Sequence, residues 1–370
     1  MNGSYPYTSL SINGRLVSFS QIMSGEEIPQ TPFESTTFSF ISSWFAGTTQ
    51  FEITTSGSTG TPKRIFITRD QMIASAKLTA QVLGLRPSDS CLVCIDTRFI
   101  GGRMMLVRAF TIGLQIFAVD PCANPLEKLP PDQWVNFAAF VPYQVEHILH
   151  SSNPLVLNRL NKAIVGGAPL RQSTVEALDH YECKCWATYG MTETISHVAL
   201  QALNGKDKQN YFECLPGTAV ELDDRNCLIL NVPFLNDQII TNDVAELLDR
   251  TRFRWLGRFD NIINTGGIKV SPEKVEGTLQ PFFEESGRSL RYFVHGIQDD
   301  QLGSRVVLVI EANTIDEDFL KSLRTFLTST LPQFEIPKST LLVSKFSETE
   351  NGKINRLQTV KGVHAIVSLK

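Results

Sequence analysis

The sequence predicts an α/β protein in two parts: a large N-terminal α/β unit and a small α+β unit at the C-terminus. Three observations predict it. From Gln50 onward, short apolar strand-like runs alternate with helical patterns, as expected of a mainly parallel sheet covered by helices. After Gly257–Asn261 the texture changes to two long apolar runs and one amphipathic stretch, which places the division between residues 1–259 and 260–370. The chain has 370 residues, 42% hydrophobic and 19% charged, enough for two or three domains and incompatible with a disordered or coiled-coil body.

Residues 1–45 read as polar, a short hairpin with connecting loops. QFEIT (50–54) is a strand, followed by a Gly/Ser/Thr loop and a second strand, RIFIT (64–68). Thr68-Arg-Asp-Gln71 has capping-box form and opens the helical run QMIASAKLTAQVLG. CLVCID (91–96) and LQIFAVD (114–120) read as buried strands; FAAFVPY (137–143), AIVGGAPL (163–170) and CWATYG (185–190) each read as a short strand running into a loop. In the small unit, Ser271-Pro272 is a helix start with Pro at the first helical position. RYFVHGI (291–297) and RVVLVIEA (305–312) read as paired strands, residues 316–331 as an amphipathic helix, and STLLVSKF (339–346) as a further strand.

Net charge is −4, so the electrostatic footprint of a nucleic-acid binder is missing. No apolar run approaches the roughly 20 residues that cross a bilayer, and MNGSYPYTSL is not a signal peptide. The seven cysteines are scattered, and Cys91-Leu-Val-Cys94 sits in a strand-like run, so they read as reduced thiols of a cytoplasmic protein. His147 and His150 share a probable helix face without acid or thiol partners and read as ordinary histidines, not a metal site.

The strongest local signal is Thr54-Thr55-Ser56-Gly57-Ser58-Thr59-Gly60-Thr61-Pro62-Lys63. Small residues admit a phosphate chain close to the backbone, successive N–H groups form an anion nest, and Lys63 adds charge. A strand follows where a Walker A loop would open a helix.

This loop resembles the phosphate loop of the adenylate-forming superfamily of acyl- and aryl-CoA ligases, luciferases and peptide-synthetase adenylation domains. Tyr189-Gly190-Met191-Thr192-Glu193-Thr194 resembles its YGxTE segment, Ile240-Thr-Asn-Asp243 its TGD, Gly257-Arg258-Phe-Asp260 its GRxD, and Asn351-Gly-Lys353 its C-terminal NGK. The resemblance runs from about residue 50 to about 356. It implies ATP, Mg²⁺ and CoA as the small-molecule partners, with a carboxylic acid as substrate. It implies an N-terminal domain shortened at its start, because the phosphate loop usually lies well over a hundred residues into the chain, and a mobile C-terminal domain that turns about Asp260.

The site residues follow from the same resemblance. Thr55 to Gly60 and Lys63 hold the phosphates; Gly167, Ala168 and Pro169, after Gly166, line the adenine pocket; Tyr189, Gly190 and Met191 lie beside the base. Thr192 reaches the phosphate, Glu193 holds Mg²⁺, Asp243 serves the ribose, and Arg258 belongs to the nucleotide site. Lys353 acts in adenylation only, and Gly267 and Lys269 line the thiol channel after rotation. Asn242 stands where the family has Gly.

Val141-Pro-Tyr143-Gln144, VGGAPL and YGMTET further resemble the o-succinylbenzoate–CoA ligase subgroup. Between phosphate loop and adenine loop the family's aromatic/His segment is replaced by Arg98-Phe-Ile-Gly-Gly-Arg103. Arg98 or Arg103 is expected to read a second substrate carboxylate through its fork, with Tyr143 and His197 as pocket walls. Another acyl- or aryl-CoA ligase, a stand-alone adenylation enzyme and a non-catalytic nucleotide-binding relic remain as alternatives. The oligomeric state is left open, a homodimer being one option.

Overall fold

The computed structural model describes residues 5–54, 64–288, 290–348, 354–361 and 366–368. The chain opens with hairpin β1 (Ser9–Ile12) and β2 (Arg15–Ser18), then helices α1 (Phe19–Ser24) and α2 (Pro32–Phe45). The antiparallel pair β3 (Gln50–Thr54) and β4 (Arg64–Thr68) leads into α3 (Arg69–Leu83), whose N-terminus carries the expected Thr68/Gln71 capping box. The α/β section follows: β5 (Ser90–Val93), α4 (Ile100–Ile112), β6 (Gln115–Ala118), β7 (Val135–Phe140), α5 (Pro142–Leu149), β8 (Leu160–Val165), α6 (Gln172–Ala177) and β9 (Lys184–Gly190). Six antiparallel strands complete the large unit: β10 (His197–Ala202), β11 (Phe212–Cys214), β12 (Ala219–Leu222), β13 (Cys227–Asn231), β14 (Ile239–Leu247) and β15 (Arg252–Arg258).

Beyond these lie β16 (Ile263–Thr265), β17 (Ile268–Val270), α7 (Pro272–Glu285), β18 (Tyr292–Asp299), β19 (Gly303–Glu311), α8 (Glu317–Thr330), β20 (Ser339–Val343), α9 (Arg356–Lys361) and β21 (Ile366–Ser368). Strands up to β15 form a 13-stranded sheet and the isolated β3–β4 pair; those from β16 on form a separate 6-stranded sheet.

The large sheet has the order β12-β13-β14-β15-β11-β10-β9-β8-β7-β5-β6-β1-β2. Only the run from β1 to β9 is parallel; from β9 to β12 every pairing is antiparallel. The expectation of a mainly parallel sheet is therefore corrected: with the β1–β2 hairpin, more than half of its pairings are antiparallel. In the parallel half both faces are covered. Along β5 and the residue after it, Cys91 and Val93 enter one core with α3 and α4, while Leu92 and Cys94 enter another with α5, the period of two that extended backbone imposes. In the small unit, Val275, Leu279 and Phe283 of α7 and Phe319, Leu323 and Leu327 of α8 recur every four residues and meet in one core against β18 and β19.

The N-terminal segment also differs from the polar loops expected of it. Residues 32–45 form a 14-residue helix capped by Thr31 with Pro32 at its start. Its Ser/Thr-rich composition gives little intrinsic helix preference; burial of Phe33, Phe38, Phe40, Ile41 and Trp44 supplies the stability. Glu34 is fully buried and accepts hydrogen bonds from Arg15 Nη2 (2.7 Å), Asn13 Nδ2 (2.8 Å) and the Gln30 N–H (2.7 Å). Asn13, at φ +49°, exchanges hydrogen bonds with Asp120, which also accepts from Thr31 Oγ1 at 2.9 Å. Burial alone would raise the Glu34 carboxyl, but these donors outweigh it and hold it below the usual range.

Candidate active site

Thr55, Ser56, Gly57, Ser58, Thr59, Gly60, Lys63 and Lys353 lie outside the described residues. Their flanks do not: Thr54 pairs with Arg64, and Glu348 bridges to Ile354.

β8 and β9 run parallel with Val165 opposite Ala187. Gly166–Pro169 and the end of β9, Tyr189–Gly190 with the turn Met191–Glu193, therefore lie at neighbouring strand C-termini, where open α/β sheets bind ligands. Contact between the two is close enough that a Cβ on Gly166 would fall 2.2 Å from Thr188 Oγ1. Gly190 is required too, since a Cβ there would lie 2.4 Å from Ser196 O, across the β9–β10 hairpin. Inside that hairpin Thr194 Oγ1 accepts the Met191 N–H at 2.9 Å, and the Ile195 N–H reaches Thr192 O at 2.9 Å. This tight turn leaves Thr192 half-buried and Glu193 exposed.

Three expected nucleotide-site residues, Tyr189, Asp243 and Arg258, form one cluster. Asp243 on β14 stands opposite Arg258 on β15. Its carboxylate accepts from Tyr189 Oη–H at 2.8 Å and Trp255 Nε1–H at 3.2 Å, with Arg258 Nη1 at 3.6 Å. Burial and then the Asp243 charge push the Tyr189 phenol upward, so it stays protonated and donates. Two carboxylate oxygens offer about four acceptor directions, which leaves room for ribose hydroxyls. Arg258 Nη2 also pairs with Asp260 at 2.7 Å. Burial opposes the Arg258 charge, but Asp260 and Asp243 outweigh it and hold the guanidinium above its ordinary value. Trp255 was not among the expected residues; only its place in β15, facing β14, reveals it.

Of the remaining expected residues, Asp260 is bonded to this cluster through Arg258. Arg98 pairs with Asp96 at 2.8 Å. Arg103 donates Nε and Nη1 to the carbonyls of Thr97 and Glu52, both at 2.9 Å, bracing the end of β3 against α4. Tyr143 is exposed on α5, its ring 4.0 Å from His147. Gly267, at φ +85°, turns β16 into β17, and Lys269 Nζ stands 5.8 Å from the Phe259 ring. Asp260 lies in the short turn between β15 and β16.

His197 is buried and faces Arg108, a guanidinium on α4 that is 1% exposed. Arg108 Nη2 donates to Ser196 Oγ at 2.6 Å and lies 3.4 Å from His197 Nδ1, while His197 Nε2 is 3.1 Å from Thr79 Oγ1. Thr79 Oγ1 donates onward to Ser75 O. Burial and then Arg108 pull the His197 pKa well down, so the ring is neutral, with Nδ1 accepting and Nε2–H donating. Burial pulls Arg108 down only to about 10, so it stays a cation at neutral pH. Its Nε has no hydrogen-bond partner, and among the described residues no carboxylate lies within ion-pair reach. The sequence signal for Arg108 was a single charge inside the apolar run MMLVRAFTI.

A family-wide sequence profile described as AMP-binding enzyme matches residues 47–228. A solved structure from Dyadobacter fermentans, an acyl-CoA synthetase (AMP-forming)/AMP-acid ligase II-like protein, is 34% identical, covers 92% of this chain and 97% of its own, and superposes with a TM-score of 0.60. The chain belongs to the AMP-binding enzyme family, the adenylate-forming enzymes. Among its relatives, the 2-succinylbenzoate–CoA ligase of Salmonella typhimurium is 26% identical over 81% of this chain. The chain spans 65% of that ligase's length. The o-succinylbenzoate CoA synthetase of Bacillus subtilis, solved with its acyl-adenylate intermediate, shares the fold at a TM-score of 0.72 and 18% identity, with 86% of this chain and 69% of that one covered. Among the described residues no helix is long and apolar enough to cross a membrane.

Proposed function

We propose that this chain is an AMP-forming acid–CoA ligase whose substrate is an aryl dicarboxylic acid, o-succinylbenzoate. One carboxylate attacks the α-phosphorus of ATP and expels pyrophosphate, leaving the acyl-adenylate. The CoA thiolate then attacks the acyl carbon and AMP leaves, its thiol proton passing to solvent. The first step is one of positioning and charge neutralisation. Asp243 orients the ribose, Gly166–Pro169 and Tyr189–Met191 frame the base, and Lys63 and Lys353 supply charge to the phosphates.

Mg²⁺ fits the residues present. Glu193 is an exposed carboxylate on a fixed turn with no partner among the described residues, and Mg²⁺ takes one or two carboxylates plus substrate phosphates. When bound there it would neutralise phosphate charge. We place the domain division at 259/260, where the strands of one sheet give way to those of the other, with Asp260 as hinge. Seven free thiols suit a reducing cytoplasm.

The observation that carries the substrate reading is Arg108. A buried guanidinium without an acid partner is costly unless an anion reaches it. Ser196, bonded to it, lies on the same hairpin as Thr192 and Glu193, so a second substrate carboxylate at Ser196 would meet that charge. This takes the role expected of Arg98 or Arg103, whose forks already face Asp96 and two backbone carbonyls. The test is pyrophosphate release from ATP and Mg²⁺ with o-succinylbenzoate and with its analogue lacking one carboxylate, each with and without CoA. Release with the diacid alone, and AMP release that needs CoA, is the expected result. Equal rates with both acids would overturn the dicarboxylate reading, and full turnover without CoA would favour a stand-alone adenylation enzyme.

A further inference from the structure

Arg225 touches three separate segments at once. It sits in the turn between β12 and β13, where Asp223 Oδ1 accepts the N–H groups of Arg225 (2.8 Å) and Cys227 (2.9 Å). Its Nε and Nη2 lie 2.8 and 2.7 Å from Asp223 Oδ2, which fixes the side chain over its own turn. The outer edge of the fork reaches β14: Nη1 donates to Asn242 Oδ1 at 2.8 Å and Nη2 to Thr241 O at 3.0 Å. The guanidinium carbon stands 5.1 Å from the centre of the Phe259 ring, within range of a cation–π contact. An exposed Arg–Asp pair alone contributes little; a planar fork locked on both edges and faced by a ring is pre-organised.

Asn242 immediately precedes the ribose acid Asp243, and Phe259 immediately precedes Asp260. Asn242 occupies the position where the resembling family carries Gly, which has no side-chain oxygen for an arginine to hold. Lys269, beyond Asp260, lies 5.8 Å from the opposite partner of Arg225, the same Phe259 ring. One ring thus has a cation before the hinge and a cation after it.

We propose that Arg225 is a positioning residue that ties the β14 segment Asn242–Asp243 to the turn at Phe259, so that rotation of the small domain begins at Asp260 and leaves Asp243 undisturbed. When the small domain turns, Lys269 leaves the ring and Arg225 holds it. The inference rests on the two-step ligase reading above, because only there must one ribose site survive a change of domain orientation.

The test separates nucleotide binding from the other substrates in the purified full chain. Arg225→Gln should raise KM about tenfold for ATP in pyrophosphate release, and by a similar factor for supplied acyl-adenylate in thioester formation, as loss of a charge-assisted hydrogen bond does. KM for the acid and for CoA, and both kcat values, should stay put. Arg225→Lys keeps the charge but loses the fork and should fall between the two. Asn242→Gly should reproduce the nucleotide effect in the wild-type background and add nothing to Arg225→Gln, since partners in one interaction are not additive. Additive effects, or a fall in kcat with nucleotide KM unchanged, would overturn the tie and mark Arg225 as an ordinary fold residue. If the wild-type chain releases no pyrophosphate with any acid, the ligase reading fails. The tie is then judged on ATP binding alone: an unchanged Kd in Arg225→Gln overturns it, a raised one supports it.

Discussion

Glu34 and Arg108 are both charges taken out of water, and their surroundings differ in one respect. Glu34 is met by Arg15, Asn13 and the Gln30 N–H, and Asn13 and Thr31 hold Asp120 in the same cluster. Every charge there has a partner supplied by the chain. Arg108 is met by a hydroxyl, a neutral imidazole and the Met105 sulfur, and its Nε by nothing. A closed cluster fastens the N-terminal hairpin and α2 to β6; an open one, next to the turn that bears Thr192 and Glu193, is short by one negative charge. On the proposed function, the difference separates polar burial that serves the fold from polar burial that would serve a ligand.

The largest test of that contrast is Glu34→Ala. Removing the carboxylate takes the acceptor from Arg15 Nη2, the Gln30 N–H and one Asn13 Nδ2 hydrogen, and the loss should be about 3 kcal/mol. Denaturant unfolding should show it, while turnover per folded molecule stays at the wild-type value. Arg108→Met should do the opposite. The thermal midpoint should hold or rise, because an apolar isostere often replaces a buried charge without loss. The kcat/KM for the dicarboxylic acid should nevertheless fall about 10²-fold, within the range for truncating one partner of a buried charge pair. If Arg108→Met destabilises as strongly as Glu34→Ala, the contrast breaks.

Acid titration sharpens it further. His197 has a depressed pKa in the fold, so its contribution is fully present above the unfolded value of about 6.5 and is lost as pH falls through the folded value. Arg108, Thr79 and Ser196 are the polar groups facing it, and the charge of Arg108 opposes its protonation. Unfolding free energy measured from pH 7.5 to 5.5 should therefore decline, and His197→Gln should flatten the curve by up to about 1.4 kcal/mol per pH unit. Glu34, also depressed, acts with the same sign but only as pH drops below about 4.3, so Glu34→Gln should leave the upper window unchanged. The smallest effect is Thr31→Ala, which removes the α2 cap and one donor to Asp120. It should cost about 1 kcal/mol, read as a lower denaturation midpoint with an unchanged slope.

What the sequence disclosed follows the range of its interactions. β3, β4 and α3 were readable because alternation in QFEIT and RIFIT and the Thr68/Gln71 box are local signals. The antiparallel half of the sheet was not, because its pairings join distant positions, Glu213 with Arg252 and Asp243 with Arg258, that no local pattern relates. Helix α2 escaped because Ser and Thr hide its apolar face, although Thr31-Pro32 marks its start. In the site, ordered motifs pointed to Tyr189, Asp243 and Arg258, which the fold does bring together. Trp255 and Arg108 carry no motif and acquire their places only through packing. Arg103 reads as a loop arginine in the sequence; the fold puts it on α4 and holds its fork on the carbonyls of Thr97 and Glu52, partners no local pattern announces.

The pairing of β1 with β6 sets a timetable for synthesis. Ser11 and Ile12 lie against Phe117 and Ala118, more than a hundred positions downstream. At about 5–20 residues per second on the ribosome, the hairpin waits several seconds for the strand it docks on. During that interval Leu10, Ile12 and Val17, all buried in the finished protein, face water or whatever else will cover them. Glu34 and Asp120 join one cluster only when β6 has emerged, so that cluster forms late however stable it is once made. The β1–β2 hairpin is thus made long before the strand that encloses it, and a nascent chain halted before residue 115 should present it to chaperones.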